Sequence, residues 1–270
     1  MHVGRLMHDR TPAQAEDLLA KMDELGILQA CLMAVENPEE LDYYVPTTQV
    51  LEIAAQYPHR FIPFCCVDPR HRYPGKFDPR PILREYIAQG CRGFGELLAG
   101  LRINSEASQA LYAACGELGL PILFHMDHRI GRDKLGLPGL ERMLKRFLKT
   151  IFIGHGPHFW AEISADMRPE YRGGYPKGPI VPVGALDRLL TEYPNLYADI
   201  SAASGNNALT RDPAFARDFL QRHQDQILFG SDFLAPGQAV PNADTLRNSG
   251  ISAAALEKIG HLNAERILKL

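Results

Sequence analysis

Ile227-Leu228-Phe229-Gly230-Ser231-Asp232 is a short apolar run that ends in a carboxylate. Two upstream runs end in imidazoles instead: Pro121-Ile122-Leu123-Phe124-His125 and Ile151-Phe152-Ile153-Gly154-His155. Runs this short, rich in Ile, Leu and Phe, read as buried parallel strands, because a strand covered on both faces has no polar side to alternate with. Three strands that each finish in a metal-type ligand suggest a site where strand ends converge. The C-terminal face of a β/α barrel offers that geometry.

Strand-like runs of this kind recur at nearly regular intervals, at residues 27–35, 61–67, 91–98, 120–126, 150–156, 196–201 and 226–233. Helical patterns fill the spaces between them, at 13–25, 48–56, 81–89, 105–118, 137–148 and 186–192. Gly26, Gly90 and Gly119 each follow a helix, where glycine takes the left-handed cap that a Cβ resists. Strand–helix alternation of this kind predicts a parallel α/β architecture. Seven runs and a stub at residues 1–3 fall one fragment short of eight. The expectation is a single TIM-like (β/α)8 barrel over residues 1–270, with its first strand truncated.

The longest gap, between Gly156 and Leu196, contains Arg168-Pro169-Glu170-Tyr171-Arg172-Gly173-Gly174-Tyr175-Pro176-Lys177-Gly178-Pro179. That stretch reads as too rich in Gly and Pro for a regular element. A long loop after a barrel strand is expected to lie over the active-site mouth.

Composition narrows the function. The chain has 270 residues, 46% hydrophobic, and a formal net charge of -3; no basic stripe points to nucleic acid or an anionic membrane surface. No apolar run approaches the roughly 20 residues that span a bilayer. No signal-peptide pattern opens the chain, and the five cysteines form no CxxC pair. These features predict a cytoplasmic protein with buried free thiols and a small-molecule substrate, with homo-oligomerisation left open.

A catalytic divalent metal needs imidazole nitrogens and carboxylate oxygens brought together, with a position left for water. His125, His155 and Asp232 have that chemistry, and a carboxylate after Ile-Leu-Phe-Gly would be desolvated at real cost unless paired or metal-bound. His155 alone fits equally well a core histidine with a satisfied hydrogen bond.

These runs, with Asn263-Ala264-Glu265-Arg266 near the C-terminus, resemble the amidohydrolase-related family. More narrowly they resemble its branch of aromatic-acid decarboxylases and lactone hydrolases. The resemblance implies a distorted β/α barrel binding one or two divalent metals, zinc or manganese. It makes His125 a metal ligand from strand five, and His155 a second ligand or a catalytic residue. Asp232 would bind the metal and handle the proton of its bound water. The family's first strand carries His-x-His, whereas this chain opens Met1-His2-Val3, so His2 matches the second histidine only. Glu96, closing Gly93-Phe94-Gly95-Glu96, is a further ligand if the centre is binuclear; otherwise it orients substrate or pairs with Arg102.

Around this set, Asp127 and His128 share the rim with His125, and Arg129, Arg172 and Lys177 suit a substrate carboxylate through charge-assisted pairing. His158 is a turn or loop residue, Asp68 a turn cap, and His8, His59, His71, His223 and His261 are structural or exposed. The expected function is hydrolysis of an amide, ester or lactone carbonyl by a metal-activated water. The alternatives are a metal-dependent decarboxylase using the same ligands, and a barrel that binds a ligand without catalysis.

Overall fold

Among the described residues, seven parallel strands are hydrogen-bonded in chain order, which is the signature of successive right-handed βα units wrapping into a barrel. The computed structural model describes every residue except 6–8, 40–43, 72–76 and 173. His8 therefore lies outside the described residues. The strands are β1 (Ala30–Met33), β2 (Phe61–Cys65), β3 (Gly93–Leu97), β4 (Ile122–His125), β5 (Phe152–His155), β6 (Leu196–Asp199) and β7 (Ile227–Leu228). Each lies inside one of the seven runs read from the sequence.

Residues 1–3 sit between the sheet's two edges. The Met1 amino group donates to the Cys31 carbonyl at 3.0 Å. The Met33 amide donates to the Met1 carbonyl at 3.1 Å, and the His2 amide to the Phe233 carbonyl at 2.9 Å. The stub thus bridges β1 and the chain after β7, and brings His2 to the strand ends. A cavity of about 600 Å³ is lined by Met1 and His2, by the inner residues Phe64, Leu123 and Leu228, and by Leu25 and Leu246 from the helical layer.

Alternation along the strands sorts two apolar layers. Ile62, Phe64, Leu123, Ile153, Tyr197 and Leu228 form the inner cluster, closed off by Ile267 and Leu268. Phe94, Ile122, Phe124, Phe152, Leu196 and Ile227 belong to the larger cluster between strands and helices. With Leu123 and Ile153 inside, the next residue but one, His125 or His155, also faces inward at the strand's C-terminal end. The register aligns these two directly, His125 opposite His155.

The helical layer begins with α1 (Ala15–Leu25), α2 (Thr47–Gln56), α3 (Arg80–Ala88), α4 (Glu106–Leu118), α5 (Pro138–Arg146), α6 (Pro157–Ala161), α7 (Pro169–Arg172) and α8 (Ala185–Glu192). It continues with α9 (Ala202–Thr210), α10 (Pro213–Arg222), α11 (Asn242–Arg247), α12 (Ala253–Glu257), a π-helical turn (Lys258–Leu262) and α13 (Asn263–Leu268). The expectation of no regular element at 168–179 needs correction, since α7 is a single turn there. Pro169 begins it, where a missing amide donor costs nothing.

Among the described residues, no helix is long and apolar enough to cross a membrane. All five cysteines are free, and Cys65, Cys66, Cys91 and Cys115 are buried.

Candidate metal centre

Five donor side chains meet at the C-terminal mouth, each delivered by a different part of the wall. Glu96 arrives by an irregularity. Phe94 and Leu97 both belong to the outer layer, and the register of β3 against β4 shifts between them. Strict alternation from Phe94 would point Glu96 outward with it; the extra residue turns it into the barrel, as bulges re-aim side chains elsewhere. Gly95 makes this local path feasible: its φ is +133°, and a Cβ there would stand 2.6 Å from the Leu123 carbonyl oxygen. Asp232 also has a left-handed backbone, φ 47°, a conformation Asp tolerates better than most residues. Gln238 braces that turn by donating to the Asp232 carbonyl at 2.8 Å.

Glu96 is the hub. Its Oε1 lies 2.9 Å from His125 Nδ1 and 3.9 Å from His155 Nε2. Its Oε2 lies 3.2 Å from His2 Nε2, which is in turn 3.6 Å from Asp232 Oδ1. Its partners are therefore imidazoles, not Arg102. His2, Glu96 and His155 are buried. Burial pushes the Glu96 carboxyl up, but hydrogen bonds from His125 and His2 outweigh it and hold the group well below the usual carboxylate range. Burial pushes Asp232 up, and the neighbouring Glu96 charge adds to that. For His125, burial favours the neutral ring, yet Asp127 and Glu96 raise it to about 10.

This donor set fits a divalent cation. Two overlapping trios, Glu96–His125–His155 and His2–Glu96–Asp232, each bring their ligand atoms within 4.8 Å of one another. Two carboxylates and three imidazoles suit zinc or manganese. Glu96 belongs to both trios, which suits a bridging ligand. His2 Nδ1 is buried and has no hydrogen-bond partner among the described residues.

The other predicted residues are distributed differently. Asp127 Oδ2 lies 3.4 Å from His125 Nε2, while its Oδ1 accepts the amides of Arg129 and Ile130, each at 2.6 Å. It therefore touches a donor directly and caps the rim turn. His128, Arg129 and Lys177 are exposed. Arg172 is committed elsewhere, donating to the Asp133 carbonyl at 2.6 Å and lying 3.5 Å from Glu162. His158 is not a solvated loop residue: it is buried in α6, and burial with the nearby Arg172 lowers its pKa to about 4. Asp68 does cap its turn, accepting the Arg70 amide at 2.8 Å. His223 is buried against Asp187 at 2.6 Å, and His59, His71 and His261 are exposed.

Two residues escaped the sequence reading. Asp199, closing β6, places Oδ2 3.0 Å from His155 Nδ1, and Ser201 Oγ lies 3.2 Å from the same nitrogen. The signal was present: Leu196-Tyr197-Ala198-Asp199 is one more apolar run ending in a polar side chain.

The chain belongs to the amidohydrolase family, whose model matches residues 7–270. Among solved structures it is similar to an uncharacterized TIM-barrel protein from Bordetella bronchiseptica, with TM-score 0.66, 20% identity, and 95% of this chain and 83% of that chain covered. It is similar also to a putative 2-pyrone-4,6-dicarboxylic acid hydrolase from Pseudomonas putida, with TM-score 0.64, 16% identity, and 99% and 96% covered. A third similar structure is a dihydroxybenzoic acid decarboxylase from a Polaromonas species with bound manganese, with TM-score 0.58, 18% identity, and 97% and 87% covered. At these identities the likeness shows the fold. No curated protein matches the chain significantly.

Proposed function

We propose that the chain is a metal-dependent hydrolase acting on an amide, ester or lactone carbonyl of a small molecule. The observation that supports this most is the convergence of His2, Glu96, His125, His155 and Asp232 around one buried carboxylate at the barrel mouth. A zinc or manganese ion held by these residues would polarise the carbonyl and make water a competent nucleophile near neutral pH. Asp232, whose carboxyl is pushed up by burial, takes the nucleophile's proton and returns it to the leaving group. His155 is steadied through Nδ1 by Asp199, leaving Nε2 for the reacting side, as ligand or as proton donor. Zinc is our first choice of metal, and we place the activity in the cytoplasm.

A second reading is decarboxylation, favoured by the similar fold of an aromatic-acid decarboxylase. There Asp232 or His155 would protonate the substrate carbon as carbon dioxide leaves. Zinc-loaded and manganese-loaded protein, given panels of esters, lactones, amides and hydroxybenzoates in ¹⁸O-water, separates the two. Hydrolysis puts ¹⁸O into the product acid. Carbon dioxide release without ¹⁸O in the organic product moves the assignment to the lyase. Metal bound with neither product leaves a ligand-binding barrel.

A further inference from the structure

The Asp199 carboxylate occupies a seat with several independent walls. The Ser201 amide donates to Oδ1 at 3.0 Å, and the Ser201 hydroxyl donates to Oδ2. Trp160 Nε1 donates to the Asp199 carbonyl at 2.8 Å, pinning the backbone beneath. The remaining wall is Gly230: a Cβ there would stand 2.4 Å from Asp199 Oδ1 and 2.9 Å from Ser201 Cβ. Gly230 has no positive φ, so the demand at this position is for space, not backbone freedom. All this holds Oδ2 3.0 Å from His155 Nδ1, with His155 Nε2 on the opposite edge, 3.9 Å from Glu96. Asp199 and His155 are both buried.

We infer that Asp199 is the positioning residue of this centre. It fixes the His155 proton on Nδ1 and aims Nε2 at the cluster, and Gly230 is glycine in order to admit it. The inference rests on the reading of His155 as a member of the functional site. A carboxylate on the far nitrogen of a metal-binding histidine sets tautomer and ring orientation, and its loss typically weakens metal binding 10–100-fold.

Two readouts test it. The first is the zinc dissociation constant by chelator competition for wild type, Asp199→Asn and Gly230→Ala. Both variants should bind roughly 10–100-fold more weakly, Gly230→Ala without altering any polar group. The second is the downfield NMR proton of the His155 Nδ1–H···carboxylate bond in ¹⁵N-histidine-labelled protein, expected in wild type and lost in Asp199→Asn. Zinc binding within twofold of wild type in both variants, or persistence of that proton in Asp199→Asn, overturns the inference. Should one variant fail to fold, the other carries the comparison. If wild type binds no zinc, the metal reading fails on its own, and the NMR proton still decides the role of Asp199.

Discussion

Replacing Glu96 with Gln removes one negative charge from the hub and barely changes its shape. In metal-free protein that carboxylate contacts His125 at 2.9 Å and His2 at 3.2 Å, out of solvent. Removing one partner from a buried ion pair costs about 3–5 kcal/mol. The lower figure applies here, because other carboxylates remain: His125 keeps Asp127, His155 keeps Asp199 and His2 keeps Asp232. A loss of about 3 kcal/mol lowers the melting temperature by roughly 6–12 °C, at about 2–4 °C per kcal/mol for a chain near this size. Zinc supplies a second comparison that widens the same gap. At a free zinc concentration of about 100 times the wild-type dissociation constant, wild type gains about 2.7 kcal/mol. If the variant binds at least 100-fold more weakly, it gains no more than about 0.4 kcal/mol at the same concentration. Differential scanning fluorimetry in chelator, and then in buffered zinc, reads both numbers. An unchanged or raised melting temperature in chelator, with equal zinc shifts, would refute the placement of Glu96 at the hub.

Asp232→Asn should keep the fold and lose at least 100-fold in turnover of whichever substrate proves active, since a single proton-transfer group contributes about 10²–10⁴-fold; near-normal turnover in folded protein removes Asp232 from the chemistry. Gly154→Ala drives a Cβ to 2.2 Å from the Phe159 ring, which is wedged against Phe124 and Trp160; overpacking of about 1–3 kcal/mol should appear as a lower midpoint in urea, and an unchanged midpoint contradicts the packing. Asp187, opposed by burial but held by His223 and Arg222, sits down at about 2. A depressed carboxyl stabilises the fold above its unfolded value of about 3.9 and loses that contribution as pH falls through its folded value. The stability gap between wild type and Asp187→Asn should therefore narrow as pH drops from 4 toward 2, and a gap constant across that window rules the pairing out.

The strands were legible because a buried parallel strand writes itself as an uninterrupted apolar run. The same pattern exposed His125, His155 and Asp232 at the run ends. Glu96 was legible as a strand end, but its hub position was not, because the register shift that turns it inward leaves no periodic trace beyond Gly95. Asp199 went unread although its run is of the same kind, since a carboxylate that holds a histidine looks in sequence like any strand-terminal Asp. The helix α9 was missed for a different reason. Ala202–Thr210 has a weakly amphipathic composition around Ser204, Gly205, Asn206 and Asn207, and its helicity comes from packing against α6, α10 and α11. Of the loop cations, Arg172 pairs its charge with Glu162 and two backbone carbonyls, a commitment that composition does not display.

Glu96 and its four neighbours are the ligands of the proposed metal centre. Anomalous diffraction at the zinc edge, from crystals equilibrated with zinc, decides whether they bind the ion. A peak is expected among His2, Glu96, His125, His155 and Asp232, with Glu96 contacting it. A zinc-saturated crystal with no peak in that cluster would contradict the metal centre.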